Sequence, residues 1–298
     1  MARLVECVPN FSEGRRPEVI REILNVIESV AGVKLLDYSS DASHHRSVVT
    51  FVGEPEKVKR AAFLAAQKAK ELINMELHRG EHPRMGATDV IPFIPISGVT
   101  MDECVGLARE LGREIGEKLE IPVYLYEAAA TRPERKSLPN VRKGEFEGLK
   151  ETIHLPERQP DFGPARVHST AGATAVGARP PLIAYNVNLN TSDINIAKAI
   201  AKAIRGSSGG YQSIKALGVM LEDRNIAQVT INVCNFRDVP LHRVMETVKC
   251  EASRYGVSVI GSEIVGLVPL EALALAAEFY LRLENFQLAQ ILETRLSE

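Results

Sequence analysis

The chain has 298 residues, enough for two domains with cores of their own. It is 45% apolar and 25% charged, the composition of a soluble globular protein, and its formal net charge of −2 leaves no footprint for nucleic acid or an acidic membrane. No apolar run approaches membrane-spanning length, and Arg3 and Glu6 interrupt any signal peptide. Cys7, Cys104, Cys234 and Cys250 lack disulfide or metal spacing and suit a reducing cytoplasm.

In chain order, the hydrophobic period predicts a strand at Leu4–Val8 and an amphipathic helix at Pro17–Val30. Strands follow at Val33–Tyr38 and Val48–Val52, then a long helix at Glu56–Met75 with Lys57, Lys59 and Arg60 on a solvated face, then a strand at Val90–Ile94. This is β-α-β-β-α-β. A helix at Met101–Leu119, a strand at Val123–Tyr126 and the stretch Asn140–Ile153 extend it, and a loop with Pro156, Pro160, Gly163 and Pro164 leads onward. The order then repeats: strand Leu182–Leu189, helix Ser192–Arg205, strands Ala216–Leu221 and Gln228–Cys234, helix Leu241–Tyr255, strand Val257–Ile260. Pro269–Leu296 reads as helical. The expected fold is α+β, two ferredoxin-like subdomains (1–178 and 179–298) forming a cleft, a favoured place for a ligand.

The densest chemistry lies in residues 78–98, HRGEHPRMGATDVIPFIPISG. Pro83 disfavours helix for the residue before it, and Gly80 and Gly86 permit backbone angles that other residues resist. His82 is therefore expected on a rigid loop before a strand, with Glu81, Arg84 and Asp89 close in sequence to orient it or tune its pKa. Three readings compete: a polar turn with a surface histidine, a metal site, and a general acid/base. His78, Glu81 and His82 spell H-x-x-E-H, but zinc chemistry needs both histidines on one helix face, and Gly80 and Pro83 argue against a helix.

The stretch from His78 to Gly106 resembles the signature of the formiminotransferase domain. VECVPNFSEG (5–14), RSVVTFVG (46–53), IPVYLYEAA (121–129), DFGPA (161–165), GATAVGAR (172–179), NIAQVTIN (225–232) and GSEIVGLVPL (261–270) agree with it, in the expected order along nearly the whole chain. The resemblance implies folate-dependent transfer of a formimidoyl group between N-formimidoyl-L-glutamate and tetrahydrofolate, in histidine breakdown and one-carbon metabolism. His82, in the E-H-P-R motif, is its implied acid/base. Tetrahydrofolate is then a substrate and carrier, with no metal. The same fold with 5-formyltetrahydrofolate as donor, a non-catalytic folate-binding protein and a zinc hydrolase are the alternatives. The resemblance further implies a cytoplasmic homodimer. In animals a helical cyclodeaminase is fused to the transferase; the residues after Ile260 are too few for one, so a separate deaminase is expected in the pathway.

The resemblance also places Gly163, Pro164, Ala165, Arg166, Val167, His168, Ser169, Thr170, Ala171 and Gly172 against folate. Arg46, Arg84 and Arg179 fall in or beside matching motifs and are candidate carboxylate partners, with surface salt bridges as the alternative. Glu81, Asp89, Asp37 and Asp41 are candidates to stabilise a cationic amidinium; for Asp37 and Asp41 turn chemistry competes. Asn10, Phe11, Ser12 and Gly14 are read as a loop facing the cleft or a cap for the first helix, with Ser12 or Glu13 near its N-terminus. Animal relatives carry an aspartate where Ser39 stands, an asparagine where His45 stands and an aromatic residue where Ala171 stands.

Overall fold

The computed structural model describes residues 2–296; Met1, Ser297 and Glu298, at the ends of the two expected subdomains, lie outside the described residues. The chain divides into two compact units between Arg179 and Pro180.

In the first unit, Pro9 interrupts one strand into β1 (Leu4–Cys7) and β2 (Asn10–Phe11). Helix α1 (Pro17–Glu28) opens on a proline, whose missing N–H costs nothing there, and buries Val19, Ile20, Ile23, Leu24 and Ile27 at helical spacing. Strands β3 (Val33–Asp41) and β4 (Arg46–Gly53) form a hairpin, followed by α2 (Pro55–Leu72), β5 (Thr88–Ser97) and α3 (Met101–Lys118). A capping box between Thr100 and Glu103 starts α3. Strand β6 (Val123–Glu127), the short helices α4 (Leu138–Val141) and α5 (Glu145–Thr152), and β7 (Thr174–Ala178) complete the unit.

The seven strands make one sheet. The β1/β2 strand lies between β4 and β5, β3 flanks β4, and β7 and β6 extend the sheet beyond β5 in parallel register. The first five strands and two helices are the ferredoxin-like order. The strand β7 is an addition that periodicity does not reveal. It is five residues, TAVGA, buried throughout and rich in alanine and glycine, so it has neither alternation nor β-branched bulk.

Alternation sorts the sheet into two faces. Phe11, Val49, Phe51, Ile91, Phe93 and Val176 join the core under α1, α2 and α3. On the other face, Val90, Tyr124, Tyr126 and Ala175 pack with Val141, Leu149 and Ile153 of the α4–α5 segment. That second face continues onto β4 and β3, where register aligns Asp37 with Thr50, Ser39 with Val48 and Asp41 with Arg46.

The second unit contains β8 (Ile183–Leu189), α6 (Ile194–Ile204), β9 (Ile214–Leu221), β10 (Ile226–Val233), α7 (Leu241–Ser253) and β11 (Val259–Val265). The strand order β11-β8-β10-β9, antiparallel throughout, is ferredoxin-like. Its core is built from Tyr185, Val187, Ala197, Ile200, Val229, Ile231, Val244 and Val248, among others. The expected helical stretch after Pro269 is divided: α8 (Leu270–Leu281) ends at Arg282 in a left-handed conformation, and α9 (Leu292–Leu296) is a single turn. No helix of the described residues is long and apolar enough to cross a membrane.

Candidate active site

Strands β4 and β5 begin at the same end of the first sheet, on either side of β2. The loop 78–86 is fixed over that end by backbone contacts. Glu81 N–H donates to Ser43 O (3.2 Å), Ala87 N–H to Ala171 O (2.8 Å) and Ala173 N–H to Met85 O (3.0 Å). Ser12, tied to this loop rather than to a helix end, donates from Oγ to Gly86 O at 2.8 Å. Glycine is required at Gly86 and Gly172 by space: a Cβ would lie 2.2 Å from Ala173 O in one case and 2.2 Å from Met85 O in the other. Gly86 itself has an ordinary φ, so close approach of two chains, not backbone freedom, is what its small size serves.

His82 is 9% exposed. Its Nδ1 lies 3.3 Å from Arg46 Nη1. A guanidinium only donates, so Nδ1 is the acceptor and Nε2 carries the proton. Nε2 lies 3.5 Å from Asp89 Oδ2, a distance for electrostatic attraction rather than a well-formed hydrogen bond, and it has no hydrogen-bond partner. Burial holds the imidazole below the usual histidine range; Asp89 pulls it back up, while Arg46 and Arg142 add to the depression. The ring is therefore neutral at neutral pH, with a basic nitrogen at Nδ1.

Asp89 is 1% exposed. Oδ1 accepts the Met85 N–H at 2.8 Å and Oδ2 pairs with the Arg142 guanidinium. Burial alone would raise its carboxyl, but Arg142, His82 and the Met85 amide together outweigh that and hold it below the usual carboxylate range. Arg142 is the residue the sequence reading missed. It caps the C-terminal end of α4, 53 residues from Asp89, in a stretch with no motif of its own. The Nε atoms of Arg46 and Arg142 are buried without partners among the described residues. Two guanidiniums and one carboxylate leave this cluster one positive charge in excess.

The other expected residues divide by what engages them. Arg84 is buried and committed: its guanidinium donates to Glu145 (2.8 Å) and Glu147 (2.8 and 2.6 Å), and its Nε to His78 Nδ1 (3.2 Å). The Asp41 carboxylate accepts the His44 N–H at 2.7 Å and faces the His44 ring, which holds its pKa down; this is turn chemistry. Asp37 stands on the same sheet face as Arg46. Arg179 follows β7 and hydrogen-bonds the buried Tyr126 phenol. Gly163–Gly172 turns back on itself, with His168 and Gly172 exchanging backbone hydrogen bonds (3.1 and 3.0 Å). His168 Nδ1 accepts from Ala171 N–H at 3.1 Å, and Gly163, Ala165, Arg166 and Ser169 are exposed while Ala171 is buried.

The H-x-x-E-H spacing does not form a helix face, because residues 78–86 are irregular. Both His78 nitrogens are occupied, Nε2–H by His45 O (2.9 Å) and Nδ1 by Arg84. His45 stacks on His78 with ring centroids 4.2 Å apart and directs its ring nitrogens to Arg79 O and the buried Glu13 carboxylate. Glu13 in turn accepts the Arg15 and Arg16 N–H groups (2.9 and 3.0 Å) ahead of α1.

The family models give this arrangement its context. Residues 4–179 match the formiminotransferase domain, N-terminal subdomain, and residues 184–295 match the formiminotransferase domain. The chain belongs to the formiminotransferase family. It is 55% identical to a glutamate formimidoyltransferase from Streptococcus pyogenes serotype M1, over 99% of both chains. It is 50% identical to one from Thermoplasma acidophilum, over 99% of this chain and 98% of that one. The formimidoyltransferase-cyclodeaminase of Rattus norvegicus is 47% identical over 94% of this chain, which spans 53% of that longer formiminotransferase relative.

Proposed function

We propose that the chain transfers a formimidoyl group between N-formimidoyl-L-glutamate and tetrahydrofolate, with His82 as general acid/base. The observation that carries this is the buried His82, with Nδ1 3.3 Å from the Arg46 guanidinium and Nε2 3.5 Å from the Asp89 carboxylate. As the folate nitrogen attacks the amidine carbon, its N–H proton passes to His82. As the bond from that carbon to the glutamate nitrogen breaks, His82 returns the proton to the departing amine. One bond forms, one breaks and one proton moves, and the reverse reaction uses the same group. Asp89 orients the ring and stabilises the transient imidazolium.

The positive excess of Arg46 and Arg142 suits the carboxylates of a glutamate-type substrate. Arg84, held by Glu145 and Glu147, is a positioning residue that ties the His82 loop to the α4–α5 segment. The Gly163–Gly172 turn, Asp37 and Arg179 are assigned to folate; Asp41 shapes the β3–β4 turn. The same reading makes the protein a cytoplasmic homodimer that needs no metal. The test is to incubate purified protein with N-formimidoyl-L-glutamate and tetrahydrofolate, and separately with 5-formyltetrahydrofolate and glutamate, following all products by mass spectrometry. Transfer in the first mixture is expected. Transfer only in the second would assign the formyl donor, and none in either would overturn the reading.

A further inference from the structure

Arg46 stands in an unusual position for a partly buried cation. No carboxylate of the described residues lies within ion-pairing distance of it, and its Nε is buried without a partner. The nearby Asp41 carboxylate is spent on His44, and Asp89 is paired with Arg142. Among the described residues its one side-chain hydrogen bond is from Nη1 to the lone pair of His82 Nδ1, the atom that must take the proton. A base whose lone pair accepts a hydrogen bond from a cation is a blocked base. The unpartnered Nε supplies one of the two parallel N–H groups with which a guanidinium takes a carboxylate side-on.

We propose that Arg46 gates His82: a substrate carboxylate engages the Nε edge of the guanidinium, draws it off Nδ1, and so frees the base only when a carboxylate-bearing substrate is present. The inference rests on His82 being the acid/base of the proposed reaction and adds how the site distinguishes an occupied state from an empty one. Water admitted to an empty site then meets a masked base. Excess positive charge is neutralised in the same event, so binding and activation share one contact. The groups that act on the imidazole are Arg46, Arg142 and Asp89, and the last two keep each other as partners in both states.

The test reads the ionisation of His82, not turnover. The full chain is labelled with ring-15N histidine, the His82 signals are assigned by their loss in His82→Gln, and pH titrations are run without ligand, with glutarate, and with glutaramide. In the wild type, glutarate is expected to move the His82 midpoint up toward the usual histidine range, whereas the uncharged diamide leaves it in place. In Arg46→Gln the midpoint is already raised without ligand and glutarate adds nothing. Arg46→Lys keeps the charge but not the two-pronged edge. It should retain the low midpoint, respond weakly to glutarate, and show a KM for the glutamate-type substrate raised roughly 10- to 100-fold, with kcat changed less. An unchanged midpoint in Arg46→Gln, or an undiminished glutarate response in it, overturns the gate. Should Arg46→Gln not fold, a wild-type glutarate response in Arg46→Lys overturns it equally. Because no folate and no transfer enter the titration, its failure is distinguishable from failure of the transfer assay.

Discussion

Replacing Asp89 by Asn tests the central pair of the site and separates its chemical role from its structural one. The Asn Oδ1 can keep the Met85 N–H, which turns the amide NH2 toward Arg142 and His82. A donor then faces the protonated Nε2. The tautomer with Nδ1 as the base then loses the acceptor that favours it, and the transient imidazolium loses its counter-charge. The expected loss in kcat is on the order of 10³–10⁴, the size found when an orienting aspartate loses its charge in a histidine-based triad. Stability falls as well, because Arg142, 13% exposed at its side chain, loses a partner that is 1% exposed. Breaking a buried pair from one side costs about 3–5 kcal/mol, and the residual exposure of Arg142 argues for the lower end. At about 3 kcal/mol the melting temperature should drop by roughly 6–12 °C. Steady-state transfer and thermal unfolding monitored by circular dichroism measure both. A variant that kept its turnover within tenfold of wild type would refute the orienting role, whatever its melting temperature.

Other perturbations have equally definite outcomes. Gly86→Ala places a methyl 2.2 Å from Ala173 O and 2.5 Å from Ala171 O, both backbone atoms, and should destabilise by about 2–4 kcal/mol; a melting temperature within 2 °C of wild type would contradict the packing. Arg84→Met leaves partly exposed Glu145 and Glu147 and one ring nitrogen of His78 unpaired. It should cost about 1–2 kcal/mol and lower kcat through the loop, the loss growing smaller at high salt; salt-independent wild-type turnover would remove its positioning role. His82 must be neutral to act as a base, and its folded-state pKa lies below the unfolded value of about 6.5. The acid limb of kcat/KM is therefore expected below about pH 6.5, and the unfolded chain binds more protons there, so stability also declines as pH falls from that value through the folded one. A limb at or above neutrality would contradict the burial of the ring.

The repeated βαββαβ order was legible because amphipathic helices and alternating strands announce themselves by period, as in Pro17–Glu28 and Arg46–Gly53. The strand Thr174–Ala178 was not. It lies between two parallel strands with α3 on one face and the α4–α5 segment on the other, and its small side chains carry no pattern. The E-H-P-R loop could be read because Pro83 rules out a helix at His82 and leaves a fixed turn. Arg142 could not, since nothing local joins it to Asp89; the ion pair exists only after the α4–α5 segment folds over the sheet. Nor does sequence distinguish Arg84 from Arg46. Both stand beside recognisable motifs, yet two glutamates from across the fold claim the first and, among the described residues, none claims the second.

The most direct measurement of the whole account is single-turnover transfer by His82→Gln, with tetrahydrofolate binding measured on the same preparation. His82 is the one group asked to accept and return the proton, and glutamine preserves polar bulk while removing the titratable nitrogen. Folate binding near the wild-type level with a rate reduced by about two to four powers of ten is the expected result. A rate within a few-fold of wild type, at unchanged folate binding, would contradict the assignment of His82 as the acid/base.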